Sequence, residues 1–236
     1  MPRGSALSEQ QTIDALARAA VAEIRSGMTV GLGTGRAAKR GIRALADRYA
    51  AEKLDIRCVS TSEGSETLAK ELGLPVSDFA NVETVDYLFD GADEVDPAVR
   101  LLKGSGGAMT RERMVAWASR RCVYMVDRTK LVDRLGSSTP LGIAVLAFGL
   151  ASVRAELRDL GLAGVCRRTL DGQLYLTDNG NLIVDAMIGD QNLEELADAL
   201  NAIPGVIDHG MFLNEADEVL VDMGDGNVDR LLRPEL

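Results

Sequence analysis

The sequence is short of the side chains that most often carry metals and redox chemistry. Its 236 residues include one histidine, His209, and three cysteines, Cys58, Cys122 and Cys166. A single histidine excludes a histidine-based metal cluster and leaves any Ser-His-Asp arrangement only that residue. The cysteines are odd in number, widely spaced and without a metal-ligand pair, which argues against a disulfide framework. Cys58 and Cys122 fall in apolar, strand-like runs and read as buried thiols. Aromatics make up only 4%, so Ala, Leu and Val must fill an interior drawn from a 46% hydrophobic composition. The longest apolar run, 141–151, is broken by Gly142 and Gly149 and is too short to span a bilayer. Residues 1–10 are polar and lack the apolar segment of a secretory signal. The expected compartment is therefore the cytoplasm, with no membrane partner. A basic excess is also missing: 26 Lys and Arg stand against 36 Asp and Glu, for a net charge of −10. That argues against nucleic acid as the main partner. An anionic ligand has to be held by a local cluster and not by the global field.

The length suits one large domain or a large one with a smaller companion. Helical periodicity runs from Ser8, a candidate cap, through Ile13, Leu16, Ala17, Ala20, Val21 and Ile24, with Gly27 as the stop. Strands are expected at 29–32, 56–59, 86–89 and 122–126. Helices are expected after Gly35 (stripe Ala38, Gly41, Ile42, Leu45, Tyr49), at 62–72 and from the 104–107 glycines to about Ser119. This alternation predicts a doubly wound, mostly parallel, Rossmann-like α/β sheet. After about Arg134 the pattern changes. A helix at 151–160, antiparallel strands at 165–169, 173–177 and 182–186, an Asp178-Asn179-Gly180 hairpin turn and a helix at 193–201 read as a small α+β unit. Residues 219–222 return to the main sheet. The expected division is 1–134 plus 208–236 for the larger domain and 135–207 for the smaller.

Three segments carry candidate chemistry. Gly31-Leu32-Gly33-Thr34-Gly35 lies between a strand and a helix, where glycines admit an anion and free N–H groups receive it. The second strand ends in Ser60-Thr61-Ser62, without the acid a dinucleotide site wants. Arg36, Lys39 and Arg40 crowd the positive helix end, which a bound anion would offset and a solvated basic face would equally explain. The second segment, Asp90-Gly91-Ala92-Asp93-Glu94-Val95-Asp96, puts two carboxylates across a glycine turn at the end of an apolar strand. Asp90 and Asp93 fit acid–base work on hydroxyls or a Mg²⁺ site; Glu94 and Asp96 read as ordinary turn acids. The third is Lys103-Gly104-Ser105-Gly106-Gly107 and the helix after it. Successive glycines offer a nest of N–H donors for developing negative charge. On that helix Glu112 neighbours Ala108, Val115 and Ala116, an apolar strip that would raise its pKa and suit it as a base. A surface ion pair with Arg111 or Arg113 is the competing reading. Together the three segments fit proton transfer beside a carbonyl in a phosphorylated substrate.

With these residues in place, the chain resembles the ribose-5-phosphate isomerase type A family. The resemblance is carried by the 90–96 acidic segment, the 103–108 lysine-glycine segment, Arg111-Glu112-Arg113, Thr177-Asp178-Asn179-Gly180-Asn181 and Ile203-Pro204-Gly205-Val206, in order from about 12 to 222. It implies interconversion of ribose 5-phosphate and ribulose 5-phosphate through an enediolate, with no metal or other cofactor. It implies Glu112 as the base shuttling a proton between C1 and C2. It gives Asp90 ring opening and hydroxyl proton transfer, with Asp93 in support. Lys103 and the nest Gly104, Ser105, Gly106 and Gly107 stabilise the enediolate oxygen. Gly33, Thr34, Gly35, Arg36, Thr61, Ser62 and Lys130 line the phosphate and sugar site. It also implies a homodimer or homotetramer and a ferredoxin-like α+β lid domain. The sequence departs from the family where Ser-Thr usually follows the last glycine of the phosphate loop and Arg36-Ala37 stands instead. It departs again at Gly142-Ile143-Ala144, often Pro-Val-Glu, and in the first helix, which lacks a frequent lysine. A non-catalytic sugar-phosphate sensor and an isomerase of a related phosphorylated sugar are the alternatives. A nicotinamide-dependent reductase rests on the glycine loop alone.

Overall fold

The computed structural model describes residues 14–234. Ser8 and Ile13 of the first expected helix lie outside them. Helix α1 (Ala15–Val21) is capped by the Asp14 carboxylate, which accepts from Ala17 N at 2.9 Å. It ends well before Gly27. The carbonyls of Ala20 and Val21 are taken by the Tyr87 hydroxyl and the Arg48 guanidinium, which satisfies the last turn early.

The chain then alternates through β1 (Thr29–Leu32), α2 (Gly35–Glu52), β2 (Arg57–Ser60), α3 (Glu63–Glu71) and β3 (Tyr87–Gly91). Two short strands follow, β4 (Glu94–Val95) and β5 (Leu101–Leu102), then α4 (Met109–Trp117) and β6 (Cys122–Asp127). The second half contains β7 (Leu141–Val145), α5 (Leu150–Asp159), β8 (Gly164–Cys166), β9 (Leu182–Ala186), α6 (Leu193–Ala202) and β10 (Val206–His209). The chain closes with β11 (Met211–Phe212), β12 (Glu218–Asp222) and β13 (Val228–Leu232).

The main sheet has six strands in the order β13-β12-β6-β3-β1-β2. All neighbours are parallel except the edge strand β13. Its inner strands β1, β3, β6 and β12 are buried on both faces, which is why they read as near-continuous apolar runs. The chain runs from β1 outward to β2, then crosses back to β3 on the other side of β1. That reversal opens a crevice at the carboxyl ends of β1 and β3, where open α/β sheets receive ligands.

The smaller sheet is antiparallel, in the order β10-β7-β9-β8. With α5 and α6 it forms β-α-β-β-α-β, the ferredoxin-like connection. Val153 and Leu157 of α5 and Leu196 and Leu200 of α6 bury their apolar faces against Ile143, Val145 and Val184. Two sequence expectations are corrected here. Residues 173–177 are not a strand: a single bridge joins Arg168 and Leu174, while Leu174 and Leu176 face solvent. Their alternation reflects Tyr175 turning inward, not a sheet face turning to a core. The run at 141–145, taken only as an apolar stretch, is the central strand β7. A third, small sheet, β11-β5-β4, ties the two halves together.

Candidate active site

Four elements converge on the crevice. Strand β3 delivers Asp90, whose side chain is fully buried. One carboxylate oxygen accepts from Gly91 N at 2.7 Å and from Thr34 N at 2.9 Å. The close approach of the β1 loop to β3 requires glycine at 33, since a Cβ there would lie 2.5 Å from the Asp90 Cα. Strand β5 delivers Lys103, fixed at its backbone by Lys103 N donating to Gly210 O at 2.8 Å. Its ammonium lies 3.0 Å from the second Asp90 oxygen and 3.4 Å from Glu112, and also donates to the Gly91 carbonyl. The rings of Tyr124 and Phe212 lie 5.2 and 5.6 Å from the Lys103 nitrogen. An ammonium therefore already occupies the position beside Asp90 that the magnesium reading would give to a cation.

Glu112, in the first turn of α4, is buried beside Ala108, Val115 and Ala116 as the helical spacing predicted. Neither neighbouring arginine pairs with it. Arg113 is bound to Asp208 at 2.7 Å and to Glu215, and Arg111 reaches Asp178 at 3.5 Å. One Glu112 oxygen has no hydrogen-bond partner. Burial pushes the carboxyl up to about 8, with the Lys103 charge pulling the other way and Asp90 and Asp93 adding to the rise. Burial alone pulls Lys103 down, but the Asp90 and Glu112 charges together outweigh it and hold the ammonium above its usual value. An acid with an orphaned oxygen, held near neutrality beside a permanent cation, can take up and return a proton.

These groups border a cavity of about 340 Å³. Of the residues expected at the site, Thr34, Gly35, Arg36, Asp93, Lys103, Gly104, Gly106, Glu112 and Lys130 line it. Asp90 lies behind the wall, in contact through Lys103. Ser105 is also off the wall, its amide donating to Asp93 at 2.9 Å. Gly107 packs against Tyr175. Thr61 and Ser62 do not line the cavity. Their buried hydroxyls sit beneath Thr34, 2.7 and 2.8 Å from its hydroxyl. Lys130 reaches in from the turn after β6, and Arg36 from the first turn of α2, where no acidic side chain is present. Glu94 and Asp96 are away from the cavity but are not solvated turn acids. Glu94 accepts from Gly136, Ser138 and Thr139 amides, and Asp96 from Ala98 and Arg100. His209 is buried outside the cavity, with burial depressing its imidazole to about 3.

Sequence reasoning named Arg40 among the cations at the start of α2 but not among the lining residues, although it lies four residues beyond Arg36 on one helix face and lines the cavity. Asp14 holds its guanidinium at 2.6 Å and Asp222 at 3.3 Å. Among the described residues no group of three or more His, Cys, Asp or Glu side chains is arranged to hold a metal ion, and no helix is long and apolar enough to cross a membrane.

A Rossmann-like sheet with a buried acid–lysine–acid cluster at its switch point, beside a ferredoxin-like unit, defines an α/β protein built for acid–base chemistry on a small ligand. The chain belongs to the ribose 5-phosphate isomerase A (phosphoriboisomerase A) family, whose profile matches residues 57–226. It is 45% identical over 213 residues to ribose-5-phosphate isomerase A of Gluconobacter oxydans, covering 89% of this chain and 92% of that one. With the same protein of a Roseiflexus species it shares 43% identity over 212 residues, covering 89% and 91%. Among solved structures, ribose 5-phosphate isomerase A of Methanocaldococcus jannaschii superposes with a TM-score of 0.88 at 34% identity, covering 92% of this chain and 96% of that one. A D-ribose-5-phosphate isomerase in complex with phospho-erythronic acid also superposes with a TM-score of 0.88, at 33% identity, covering 93% and 96%.

Proposed function

We propose that this protein interconverts D-ribose 5-phosphate and D-ribulose 5-phosphate by proton transfer through an enediolate. The observation that carries the reading is the half-satisfied, buried Glu112 carboxyl 3.4 Å from Lys103 on the wall of a small polar cavity. In its ionised form Glu112 removes the C2 proton of the open-chain aldose. The electron pair moves toward C1–O1, giving an enediolate whose oxygen faces the Lys103 ammonium and the glycine loop. Glu112 then returns the proton to C1, and the hydroxyl proton passes from O2 to O1. Asp93, on the cavity wall, is the carboxylate open to the sugar hydroxyls and serves ring opening. Asp90 acts at one remove by holding Lys103. The phosphate sits at the α2 N-terminus, on the amides after Thr34 and between Arg36 and Lys130, with Arg36 supplying N–H donors where hydroxyls usually stand. Thr61 and Ser62 support Thr34 from below. A solved relative holding phospho-erythronic acid, a phosphorylated polyol acid, supports this ligand class.

The wider reading is of a cytoplasmic homodimer or homotetramer in pentose phosphate metabolism. The exposed Trp117 and Met114, beside the groove along α4, support self-association. The division into a larger unit (1–134 plus 208–236) and a smaller one (135–207) follows the two sheets, with β10 running across the second boundary. Ribose 5-phosphate in D₂O is expected to yield ribulose 5-phosphate with deuterium on carbon, followed by NMR. Absence of ketose would count against the mechanism.

A further inference from the structure

The glycine loop after Lys103 is held from both sides, and one side belongs to the small sheet. The carbonyls of Gly104, Ser105 and Gly106 face the segment between β8 and β9. Arg167 donates to Gly104 O at 2.7 Å and to Ser105 O at 3.1 Å. The Tyr175 hydroxyl donates to Gly106 O at 3.1 Å. The opposite face is fixed by Asp93, which accepts from Ser105 N at 2.9 Å. The amides of Gly104 and Gly106 have no acceptor among the described residues, and both residues line the cavity. The grip is itself braced. Asp185 of β9 holds the Arg167 guanidinium through two bonds, of 2.9 and 2.5 Å, and the guanidinium lies 5.8 Å from the Tyr175 ring centroid. There is no slack beneath Tyr175: a Cβ on Gly107 would lie 2.5 Å from its hydroxyl oxygen, and Gly107 already has a positive φ of 76°.

A backbone carbonyl and the following amide belong to one rigid plane, so seizing the carbonyl aims the N–H. We infer that Arg167 and Tyr175 are positioning residues for the reaction: Arg167 grips Ser105 O and so aims the Gly106 amide of the same peptide plane toward the substrate oxygen that becomes negative, while Tyr175, on the next carbonyl, fixes the other side of Gly106. The inference rests on the isomerase reading of this cavity. It gives the small sheet a part in the chemistry although none of its own residues lines the cavity. Amides aimed in advance at developing charge need no reorganisation as the reaction proceeds.

The test uses the whole protein with Arg167→Ala, Arg167→Lys and Tyr175→Phe. Amide hydrogen exchange over 103–108 is expected to quicken in Arg167→Ala, with exchange in β1 and β3 unchanged. In the same variant kcat is expected to fall about tenfold or more, with KM for ribose 5-phosphate changed less than about threefold, the pattern of a contact that matters most in the transition state. Arg167→Lys, able to reach one carbonyl but not two, should recover part of both effects. Where Arg167→Ala does not fold, Tyr175→Phe carries the same measurements with the loss of one hydroxyl. Unchanged loop exchange overturns the inference whatever the turnover, as does a kcat loss that merely follows a lowered Tm. Wild-type protein without turnover strikes the isomerase reading instead, and the exchange result still decides the grip.

Discussion

Glu112 and Arg113 are adjacent in sequence and end in opposite settings. The arginine is drawn to Asp208 and Glu215 and lies over the Phe212 ring at 4.1 Å. The glutamate turns inward to Lys103. Helical spacing indicated the apolar strip around Glu112, but it could not say whether either neighbouring arginine would claim the carboxylate, because the acids that draw Arg113 away, Asp208 and Glu215, come from near the far end of the chain. Lys103 joins Asp90 and Glu112 in one buried cluster. Removing one member of such a cluster leaves the others uncompensated, a loss of about 3–5 kcal/mol. Lys103→Met is therefore expected to destabilise the protein on that scale in urea titrations, as well as to remove activity. A variant as stable as the wild type would contradict the cluster described here.

At the scale of elements, the parallel strands were legible because each is an apolar run flanked by glycines and polar turns. The two-residue strands β4, β5 and β11 were not, since they exist only through pairing with one another. Thr61 and Ser62 sit at the end of β2, where a ligand contact was expected, yet face inward to Thr34. Register within the loop decides this, and sequence carries no record of it. Arg167 and Tyr175 gave no sign of their contacts because they lie more than sixty residues from the loop they hold. Gly33 is one of the tightest points in the frame. Gly33→Ala is expected to push the β1 loop away from Asp90, with a loss of stability of about 1–3 kcal/mol, the usual cost of overpacking, and a fall in kcat. Equal Tm and kcat in that variant would show that the loop gives way at no cost.

At the scale of the molecule, a chain with a net charge of −10 gathers Arg36, Arg40, Lys103 and Lys130 around one cavity. The global charge argues against nucleic acid, and the local cluster is where the proposed function puts the phosphate. The two sheets meet at this point: the large one supplies the acids and the anion cradle, and the small one grips the loop. Ionised Glu112 is the form that removes a proton, and burial makes that form harder to reach. Wild-type kcat/KM is accordingly expected to rise with pH through an apparent value of about 8. The most direct test is kcat for ribose 5-phosphate in Glu112→Gln, measured across that range. A fall of about 10²- to 10⁴-fold with the pH rise abolished is expected; a glutamine variant that keeps wild-type kcat and its pH dependence would contradict the account.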